Sequence, residues 1–362
     1  MYKDRGILRS VGLVAERNKL EEDLEAILER GASLWPSLKG ARFFVTGGTG
    51  FIGTWFLESF VWLNERLNLG MQAVVLTRDV QAFTNKAPHI ARHSGITLLT
   101  GDVRNFVFPE GKFSIVIHGA TDASAKLLAE DPVQMFDTIV EGTRHTLDFA
   151  VQSGANKFLF LSSGAVYGEQ PAHIQHWSEL DYNGPDCSNA GSAYAEGKRA
   201  AELLCALYAK QHGIETKLAR CFAFVGPYLP LDIHFAIGNF IRDAMAKKTI
   251  QVNGDGTPYR SYLYAADLTF WLWTVLVNGK ISTPYNIGSE EAISIGELAT
   301  LVDRTLGGKG VTVRENPRAG VSPKRYVPSV QRAKAELGLT QTVTLEQAII
   351  KTARWHGWKE HV

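Results

Sequence analysis

The sequence is poor in several features that would place it in a specialised class of protein. Lysine and arginine number 38 against 37 aspartates and glutamates, so the formal net charge is only +1. A balanced chain lacks the broad basic surface that nucleic-acid binding uses, and we expect no nucleic-acid partner. The most apolar stretch, residues 262–277, is interrupted by Asp267 and is too short to span a bilayer. We therefore expect no membrane association and a buried helix at this stretch.

Cysteine is also scarce. The three cysteines, Cys187, Cys205 and Cys221, include no CxxC pair and cannot all pair with one another, so no disulfide framework is expected. This favours a reducing compartment, and because the N-terminus lacks the pattern of a signal peptide, we expect a cytoplasmic protein. His89 and His93 lie four residues apart, but no third ligand follows at a suitable spacing. Catalytic zinc generally needs three protein ligands, so we expect no metal.

From residue 41 onward, short apolar runs alternate with stretches of helical periodicity. The predicted strands are 43–45, 73–76, 96–99, 113–117, 157–161 and 216–220. The predicted helices are 51–66, 132–152 and 191–212. Continuous apolar strands are typical of a parallel sheet that is buried on both faces. The alternation predicts an α/β fold with a doubly wound parallel Rossmann sheet.

The segments on either side of this alternation differ from it. Residues 1–40 form a predicted N-terminal helical extension, with Gly31 as a plausible helix end. Its helical periodicity rests on Val14, Leu20, Leu24, Ile27 and Leu28. Such a helix can pack on its own domain or take part in dimerisation. After residue 221 the pattern becomes irregular, with glycine and proline punctuation, which suggests a smaller domain.

We accordingly predict two domains after the extension. The first is a dinucleotide-binding Rossmann domain of residues 41–220, to which residues 260–278 return. The second is a smaller, C-terminal substrate-binding domain formed by residues 221–259 and 279–362.

Residues 46–53 read TGGTGFIG and lie between the first predicted strand and its helix. Gly47, Gly50 and Gly53 have the spacing GxxGxxG. A tight turn favours glycine, a pyrophosphate must approach the backbone closely, and the helix N-terminus offers N–H groups to phosphates. Because a strand precedes the loop and a helix follows it, the motif predicts a dinucleotide site.

The end of the second strand bears on the choice of dinucleotide. An acidic residue there would accept the ribose hydroxyls of NAD, whereas a small residue followed by arginine suits the 2′-phosphate of NADP. If the strand ends at Thr77, with Arg78 beside it, NADP is predicted. If it ends two residues later, Asp79 lies at the tip and NAD is favoured. We expect NADP, with NAD as the alternative.

Tyr194 and Lys198 lie four residues apart on a predicted helix and so share one face. A nearby ammonium should lower the tyrosine pKa from about 10, which would let the phenol exchange a proton with a sugar hydroxyl near neutral pH. The segment SSGAVYG, residues 162–168, ends the preceding strand and adds weight to the pair.

With these pieces in order, the sequence closely resembles the extended short-chain dehydrogenase/reductase family, in particular its nucleotide-sugar epimerase, dehydratase and reductase group. The resemblance covers roughly residues 41–356. Besides the motifs above, it rests on GDVR at 101–104, IHGA at 117–120, GP at 226–227, GDG at 254–256, RSYLY at 260–264 and YNIG at 285–288.

The resemblance implies a cofactor site in which Asp102 and Val103 contact adenine while Gly119 and Ala120 line the cleft. The full predicted cofactor set is Gly47, Thr49, Gly50, Phe51, Ile52, Gly53, Thr77, Arg78, Asp102, Val103, Gly119, Ala120, Tyr194 and Lys198.

The resemblance also implies three catalytic residues. Ser163 would hydrogen-bond the reacting oxygen, Tyr194 would act as acid and base, and Lys198 would tune Tyr194 and hold the nicotinamide ribose. Arg260 would bind the substrate diphosphate, since a guanidinium fork suits phosphate oxygens. The other substrate-binding candidates are Arg318 at the diphosphate, Asn253 under the nucleobase, and Asp232 and His234 at the sugar, where a solvated loop is the alternative.

Departures from the family pattern narrow the chemistry. Sugar-nucleotide 4,6-dehydratases carry acidic residues directly after the catalytic serine or threonine, where this chain has Gly164 and Ala165. The reductase that also epimerises beside the ketone has a cysteine at the Ala165 position, and this chain lacks it. Because Gly164 and Ala165 can act neither as the acid nor as the base, elimination of water is disfavoured. Ile139 and Ala223 stand where the family usually has asparagine, a departure that bears on how the substrate is placed.

We expect an NAD(P)-dependent enzyme that transfers hydride at C4 of a nucleoside-diphosphate sugar, either as a 4-ketoreductase or as a 4-epimerase. The alternatives are a nucleotide-sugar 4,6-dehydratase and a non-catalytic dinucleotide-binding sensor. The helices at 132–152 and 191–212 match those that pair in the family's dimers, so we expect a homodimer, although their apolar faces could equally belong to the core.

Overall fold

The computed structural model describes residues 18–121, 124–233, 235–318 and 320–359. Within these ranges the helices are α1 Glu21–Arg30, α2 Phe51–Leu67, α3 Val80–Lys86, α4 Pro88–Ala91, α5 Ala125–Glu130, α6 Pro132–Ser153, α7 Ala193–His212, α8 Ala236–Met245, α9 Ala265–Asn278, α10 Ile295–Leu306, α11 Gln331–Leu337 and α12 Leu345–Trp355. Short 3₁₀ turns cover Trp35–Leu38, Gly164–Tyr167 and Ala190–Ser192.

The strands are β1 Arg42–Thr46, β2 Gln72–Thr77, β3 Ile96–Thr100, β4 Ile115–His118, β5 Lys157–Ser163, β6 Glu215–Cys221, β7 Phe224–Val225, β8 Ile250–Val252, β9 Tyr259–Arg260, β10 Leu263–Tyr264, β11 Pro284–Ile287, β12 Ile293–Ser294, β13 Val311–Val313 and β14 Arg325–Tyr326.

Seven of these strands form one parallel sheet in the order β11-β6-β5-β4-β1-β2-β3. The chain runs outward from β1 through β2 to β3 and then returns to place β4 on the other side of β1. The order reverses between β1 and β4, and in an open α/β sheet such a switch point is where ligands bind. The predicted doubly wound Rossmann fold is confirmed.

Both faces of the sheet are covered, which explains why its strands are apolar throughout. Phe43 and Val45 belong to the core that includes α1, α2 and α9, whereas Phe44 between them belongs to the core with α6 and α7. Successive side chains of a strand point to opposite faces, so a strand buried on both faces has no position for an exposed polar residue.

The N-terminal helix α1 packs on its own chain, against α2 and α9. Leu20, Leu24 and Ile27 are buried, and Arg30 binds the buried Asp267 of α9 at 2.6 Å. Gly31 is the C-cap of this helix, and glycine is required there because a methyl group would collide with the indole of Trp35. Val14, which also entered the sequence prediction, lies outside the described residues.

Three helices, α8, α10 and α12, pack together beside the sheet with the small sheets β10-β7, β12-β9-β14 and β13-β8. The domain division of the sequence analysis assigned residues 279–362 to this second region. However, β11 pairs in parallel with β6 and extends the large sheet, so residues 284–287 lie with the Rossmann strands. The reason is that β6 offered an unpaired edge which an apolar strand could cover.

The apolar stretch at 262–277 forms β10 and the buried helix α9, as expected. In the described part of the chain, no helix is both long and apolar enough to cross a membrane.

Candidate active site

Two adjoining cavities open at the carboxyl ends of the sheet strands, at the switch point. The first, here called the Arg78 cavity, lies over β1, β2 and β4. The second, the Tyr194 cavity, lies over β1, β5 and β6 and has a volume of about 580 Å³. Gly47, Gly50, Gly119 and Thr121 line both, so the two form one continuous cleft.

The three glycines of the GxxGxxG spacing differ in what would surround a side chain at each position. Gly47 has a φ of +72°, in the left-handed region, and a side chain there would collide with the backbone of Gly119. A side chain at Gly53 would collide with the carbonyl oxygen of Gly47. Gly50 has an ordinary φ of −74°, and its nearest obstacle would be the Gly47 oxygen at 3.4 Å. The space beside Gly50 is therefore open to a ligand, because neither backbone conformation nor packing excludes a side chain.

The N-terminus of α2 faces this open space. Gly50 is its N-cap and supplies no side-chain cap, so the first N–H groups and the positive end of the helix dipole are available to an anion. Within the described residues, the buried Thr121 Oγ1 has no hydrogen-bond partner. A buried hydroxyl without a partner costs free energy, so a ligand oxygen is expected near it. These features fit the pyrophosphate of a dinucleotide.

The Arg78 cavity contains the remaining predicted adenosine-side residues. Thr49, Thr77, Arg78, Asp102, Val103, Gly119 and Ala120 all line it. Strand β2 ends at Thr77, and the Asp79 carboxylate is occupied in capping α3, where it accepts the Ala82 N–H at 2.8 Å. Thr77 and Arg78 therefore occupy the strand tip.

Asp102 is bound by its neighbour Arg104 through two hydrogen bonds of 2.9 and 3.1 Å. This guanidinium holds the pKa of the Asp102 carboxyl below its usual range. Asp102 is thus a charged acceptor at the rim of the Arg78 cavity.

In the Tyr194 cavity, the structure brings together Ser163, Tyr194 and Lys198, and Phe51 and Ile52 of the glycine loop line the same space. Ser163 ends β5, and its Oγ accepts the Ala165 N–H at 3.1 Å. Tyr194 and Lys198 lie one turn apart at the start of α7. Lys198 Nζ donates to the Leu161 carbonyl at 2.8 Å, which ties α7 to β5.

The expected lowering of the Tyr194 pKa is wrong for the protein alone. Burial raises the pKa of Tyr194, and a hydrogen bond with Ser163 opposes that shift in part. Lys198 Nζ lies 6.0 Å from the Tyr194 ring centre and is engaged with the Leu161 carbonyl. Burial also lowers the pKa of Lys198 to about 8. The phenol is thus neutral near pH 7 and carries the proton that a general acid gives up.

Arg260 reaches the Tyr194 cavity from β9. Its guanidinium donates to the Tyr259 carbonyl at 2.8 Å, and it forms no ion pair with any described residue. A cation on a cavity wall without a carboxylate partner can bind an anionic ligand. An arginine can also serve in a structural salt bridge, but Arg260 has no carboxylate partner among the described residues.

The other substrate-binding candidates lie elsewhere. Asn253, Asp232 and Arg318 are exposed, and none of them lines either cavity. His234 lies outside the described residues. The segment near Asp232 contributes Phe235 and the start of α8 to the wall, so that part of the cavity is apolar rather than charged.

Several lining residues were not found from the sequence. The walls of the Tyr194 cavity are largely apolar and aromatic, formed by Phe222, Ala223, Phe224, Leu229, Phe235, Ile237, Tyr262, Ile295 and Tyr326. Tyr326 comes from β14, far along the chain from Ser163, yet its Oη lies 3.5 Å from Ser163 Oγ. No local motif marks it, because only the pairing of β14 with β9 brings it to the site.

The described residues contain no group of three or more histidine, cysteine, aspartate or glutamate side chains arranged to hold a metal. His89 Nε2 contacts the buried Glu58 at 2.8 Å, and His93 Nε2 lies 3.5 Å from Glu65. Both histidines therefore have carboxylate partners.

Comparison with known proteins identifies relatives of this chain. The model of the NAD dependent epimerase/dehydratase family matches residues 43–288. Among curated proteins, UDP-glucuronic acid decarboxylase 1 of Xenopus tropicalis is 30% identical over 318 residues, covering 87% of this chain and 72% of that protein.

Two solved structures illustrate the shared fold. The dTDP-glucose 4,6-dehydratase of Streptomyces venezuelae with NAD bound has a TM-score of 0.74 at 23% identity, over 87% of this chain and 96% of that chain. The UDP-glucuronic acid 4-epimerase of Bacillus cereus, in complex with UDP-glucuronic acid and NAD, has a TM-score of 0.73 at 21% identity, over 87% and 98%.

Proposed function

Because the chain belongs to the NAD-dependent epimerase/dehydratase family, we propose that it transfers hydride between a nicotinamide dinucleotide and C4 of a nucleoside-diphosphate sugar. The observation that carries the proposal is the convergence of Ser163, Tyr194 and Lys198 on a cavity continuous with the glycine loop. A second support is Arg260, an arginine without an ion-pair partner in the described chain, on the wall of the same cavity.

The proposed roles follow from the geometry. Tyr194 gives a proton to the C4 oxygen during reduction and takes one during oxidation, and its neutral phenol suits the first direction. Ser163 lies beside Tyr194 and orients the same oxygen. Lys198 holds the ribose next to the nicotinamide. When bound, the dinucleotide supplies or accepts the hydride.

Two reactions share this chemistry, namely reduction of a 4-keto sugar and reversible 4-epimerisation. Dehydration is disfavoured, since Gly164 and Ala165 offer neither the acid nor the base that removal of water requires. Within the Tyr194 cavity, the apolar and aromatic walls also suit an uncharged sugar.

We propose NADP as the cofactor. The support is local: β2 ends at Thr77, Arg78 lines the cavity, and Asp79 is engaged as a helix cap. The two solved neighbours hold NAD, which favours the alternative. Exchangeable NADP would favour reduction, whereas tightly retained NAD would favour epimerisation.

A second candidate function is decarboxylation of UDP-glucuronic acid, which the similarity to UDP-glucuronic acid decarboxylase 1 favours. A sugar carboxylate buried in the cavity would need a cationic partner. Among the described lining residues, Lys198 and Arg260 carry the cations, and both have proposed roles elsewhere. This argument ranks decarboxylation second.

The deciding experiment offers the purified protein UDP-, CDP-, GDP- and dTDP-hexoses, their 4-keto forms, and UDP-glucuronic acid, each with NAD(H) or NADP(H). We expect reduction at C4 or inversion at C4 with retention of every carbon. Release of CO₂ from UDP-glucuronic acid would establish the second candidate. Release of a 4-keto-6-deoxy product would contradict our ranking. Dinucleotide binding without turnover of any sugar would indicate a sensor.

We also propose that the protein forms a homodimer through α6 and α7. Val133 on α6, and Leu203 and Leu207 on α7, are exposed apolar side chains on two helices that pack side by side. Exposed apolar residues on adjacent helices are a common basis for association. Sedimentation equilibrium on the protein and on Leu203→Glu would test this, with a monomer expected for the variant.

The free thiols of Cys187, Cys205 and Cys221 support a reducing compartment such as the cytoplasm. Locating the protein in fractionated cells would check this assignment. Recovery from an oxidising compartment would contradict it.

A further inference from the structure

A buried ion pair between Glu202 of α7 and Arg220 of β6 lies next to the Tyr194 cavity. The guanidinium donates two hydrogen bonds to the carboxylate, at 2.9 and 2.7 Å. The same carboxylate accepts the hydroxyl of Ser162, on β5, at 2.5 Å. Only 11% of the Glu202 side chain and 14% of the Arg220 side chain are exposed. One carboxylate therefore joins two strands of the sheet to the helix that covers them.

The two strand residues that Glu202 binds are each followed by a residue that lines the cavity. Ser162 precedes Ser163, and Arg220 precedes Cys221. In the parallel register of β5 and β6, Ser162 pairs with Arg220 and Ser163 pairs with Cys221. Glu202 itself is not among the lining residues. It can therefore affect the position of lining residues without contact to a ligand.

A second bond between α7 and β5 lies beside this one. Lys198, one helical turn before Glu202, donates from Nζ to the Leu161 carbonyl at 2.8 Å. Leu161 and Ser162 are consecutive residues of β5, so two successive turns of α7 bind two successive residues of the strand. The orientation of α7 relative to the end of β5 is fixed by these two bonds together.

Glu202 also bears on the charge of Lys198. Burial lowers the pKa of Lys198 to about 8, and Cys221, Glu202 and Cys205 oppose that shift. Burial raises the pKa of both thiols, so neither carries a charge near pH 7. Tyr194 is neutral there, and burial lowers the pKa of His118, the titratable group that faces Lys198 from β4, to about 3. Among the groups that act on Lys198, Glu202 therefore supplies the negative charge.

We propose that Glu202 is a positioning residue for the proposed hydride transfer: it holds the end of β5 against α7, and its charge stabilises the ammonium form of Lys198. The proposal rests on the proposed function, in which Lys198 holds the ribose next to the nicotinamide. A salt bridge with a structural role alone would stabilise the fold, but it would not set the pH at which Lys198 loses its proton.

The test measures dinucleotide affinity as a function of pH. NADH and NADPH are titrated by fluorescence into the unmodified protein at pH values on either side of 8. We expect affinity to fall as the pH rises through about 8, because the Lys198 ammonium is then lost. Glu202→Gln keeps the size and the acceptor oxygen of the side chain but removes its charge. The fall should move to lower pH by about one unit, the low end of the shift that an opposite charge produces.

Two further variants separate charge from position. Glu202→Asp keeps the charge on a shorter side chain, so the midpoint of the pH dependence should return close to that of the unmodified protein. Ser162→Ala removes the bond to β5 and leaves the charge, so the midpoint should not move. With the sugar substrate identified as above, its kcat should fall by about 3- to 10-fold, the loss of one hydrogen bond, with KM little changed.

Glu196→Gln is the matched control. It also removes a carboxylate from the first half of α7, but the partner of Glu196 is the exposed Arg199, at 3.5 Å. Its pH midpoint should equal that of the unmodified protein. An equal shift in Glu196→Gln would overturn the proposal, because the effect would then be one of overall charge.

An unmoved midpoint in Glu202→Gln would also overturn the proposal, whatever the melting temperature, as would an affinity of the unmodified protein that does not change with pH. If Glu202→Gln does not fold, Ser162→Ala decides, and an unchanged kcat in that variant would reject the positioning role. If the unmodified protein binds neither dinucleotide or converts no nucleotide sugar, the proposed function itself fails, and that result is distinct from the others.

Discussion

The Arg78 cavity and the Tyr194 cavity share the glycine loop but are assembled differently. Most of the Arg78 cavity comes from β1, β2, β4 and the turns that follow them, and many of the residues that line it are small. The Tyr194 cavity draws on β5, α7, β6, α8, β9 and β14, and many of the residues that line it have large apolar or aromatic side chains. The first is built by local backbone geometry and the second by tertiary packing, so substitutions should affect them through different mechanisms.

Tyr194→Phe should have the largest effect, and it should be confined to chemistry in the Tyr194 cavity. Removing the phenolic proton should lower turnover by about 10²–10⁴-fold, the range for a positioned general acid. Dinucleotide affinity should hardly change, because the ring remains. Steady-state rates and a dinucleotide titration on the same preparation check both statements, and full activity in the variant would reject the assignment of Tyr194.

Arg260→Ala should most clearly distinguish binding of the nucleotide sugar from binding of the dinucleotide. Charge-assisted hydrogen bonds are worth roughly 1.5–3 kcal/mol, so nucleotide-sugar binding should weaken by at least about tenfold. Dinucleotide binding should stay nearly constant. Calorimetry with both ligands is the measurement, with the exposed Arg314→Ala as the control for loss of one surface cation. An equal loss for both ligands, together with a lower melting temperature, would assign Arg260 a structural role instead.

Gly50→Ala should weaken binding of the other ligand, the dinucleotide. The added methyl group has ordinary space within the protein but would occupy the open side of the cleft. We expect the melting temperature to be retained and dinucleotide affinity to fall by about tenfold, which corresponds to about 1.4 kcal/mol of lost contact. Gly254→Ala, at an exposed glycine with no atom near its added methyl group, is the matched control. Unchanged dinucleotide affinity in Gly50→Ala would mean that the phosphates bind elsewhere.

Arg78→Ala should have the smallest effect, restricted to one part of one ligand. Loss of a single contact to the 2′-phosphate should weaken NADP binding by up to about tenfold and leave NAD binding almost constant. The ratio of the two dissociation constants, measured for both proteins, is the test. A preference for NAD in the unmodified protein would refute the choice of NADP.

The sequence predictions were more successful for the glycine loop and the Arg78 cavity than for the walls of the Tyr194 cavity. The loop at residues 46–53 needs only its own glycines and the strand and helix around it, so its position at a cleft could be predicted. The sequence left two possible ends for strand β2, at Thr77 and at Asp79, and the local capping bond from the Ala82 N–H to Asp79 decides between them. Pairing of β11 with the free edge of β6, by contrast, depends on contacts between distant segments.

The predictions for the Tyr194 cavity show which of its features the sequence does not predict. Ser163, Tyr194 and Lys198 lie in recognisable motifs, and the structure brings them to one cavity. Asn253, Asp232 and Arg318 were chosen by position along the chain, and they are exposed outside the cavity. The pKa of Tyr194 also escaped prediction, because it depends on how deeply the ring is buried and on the 6.0 Å that separates its centre from Lys198 Nζ.

The sequence by itself determined the parallel Rossmann sheet, the glycine loop and the family, because apolar periodicity and short motifs act over neighbouring residues. Only the tertiary structure decided the burial of Tyr194, the apolar walls of the sugar-side cavity and the position of Tyr326 beside Ser163. Each of these depends on burial or on pairing between segments far apart in the chain. Such contacts form only when the whole chain has folded, so no short stretch of sequence can encode them.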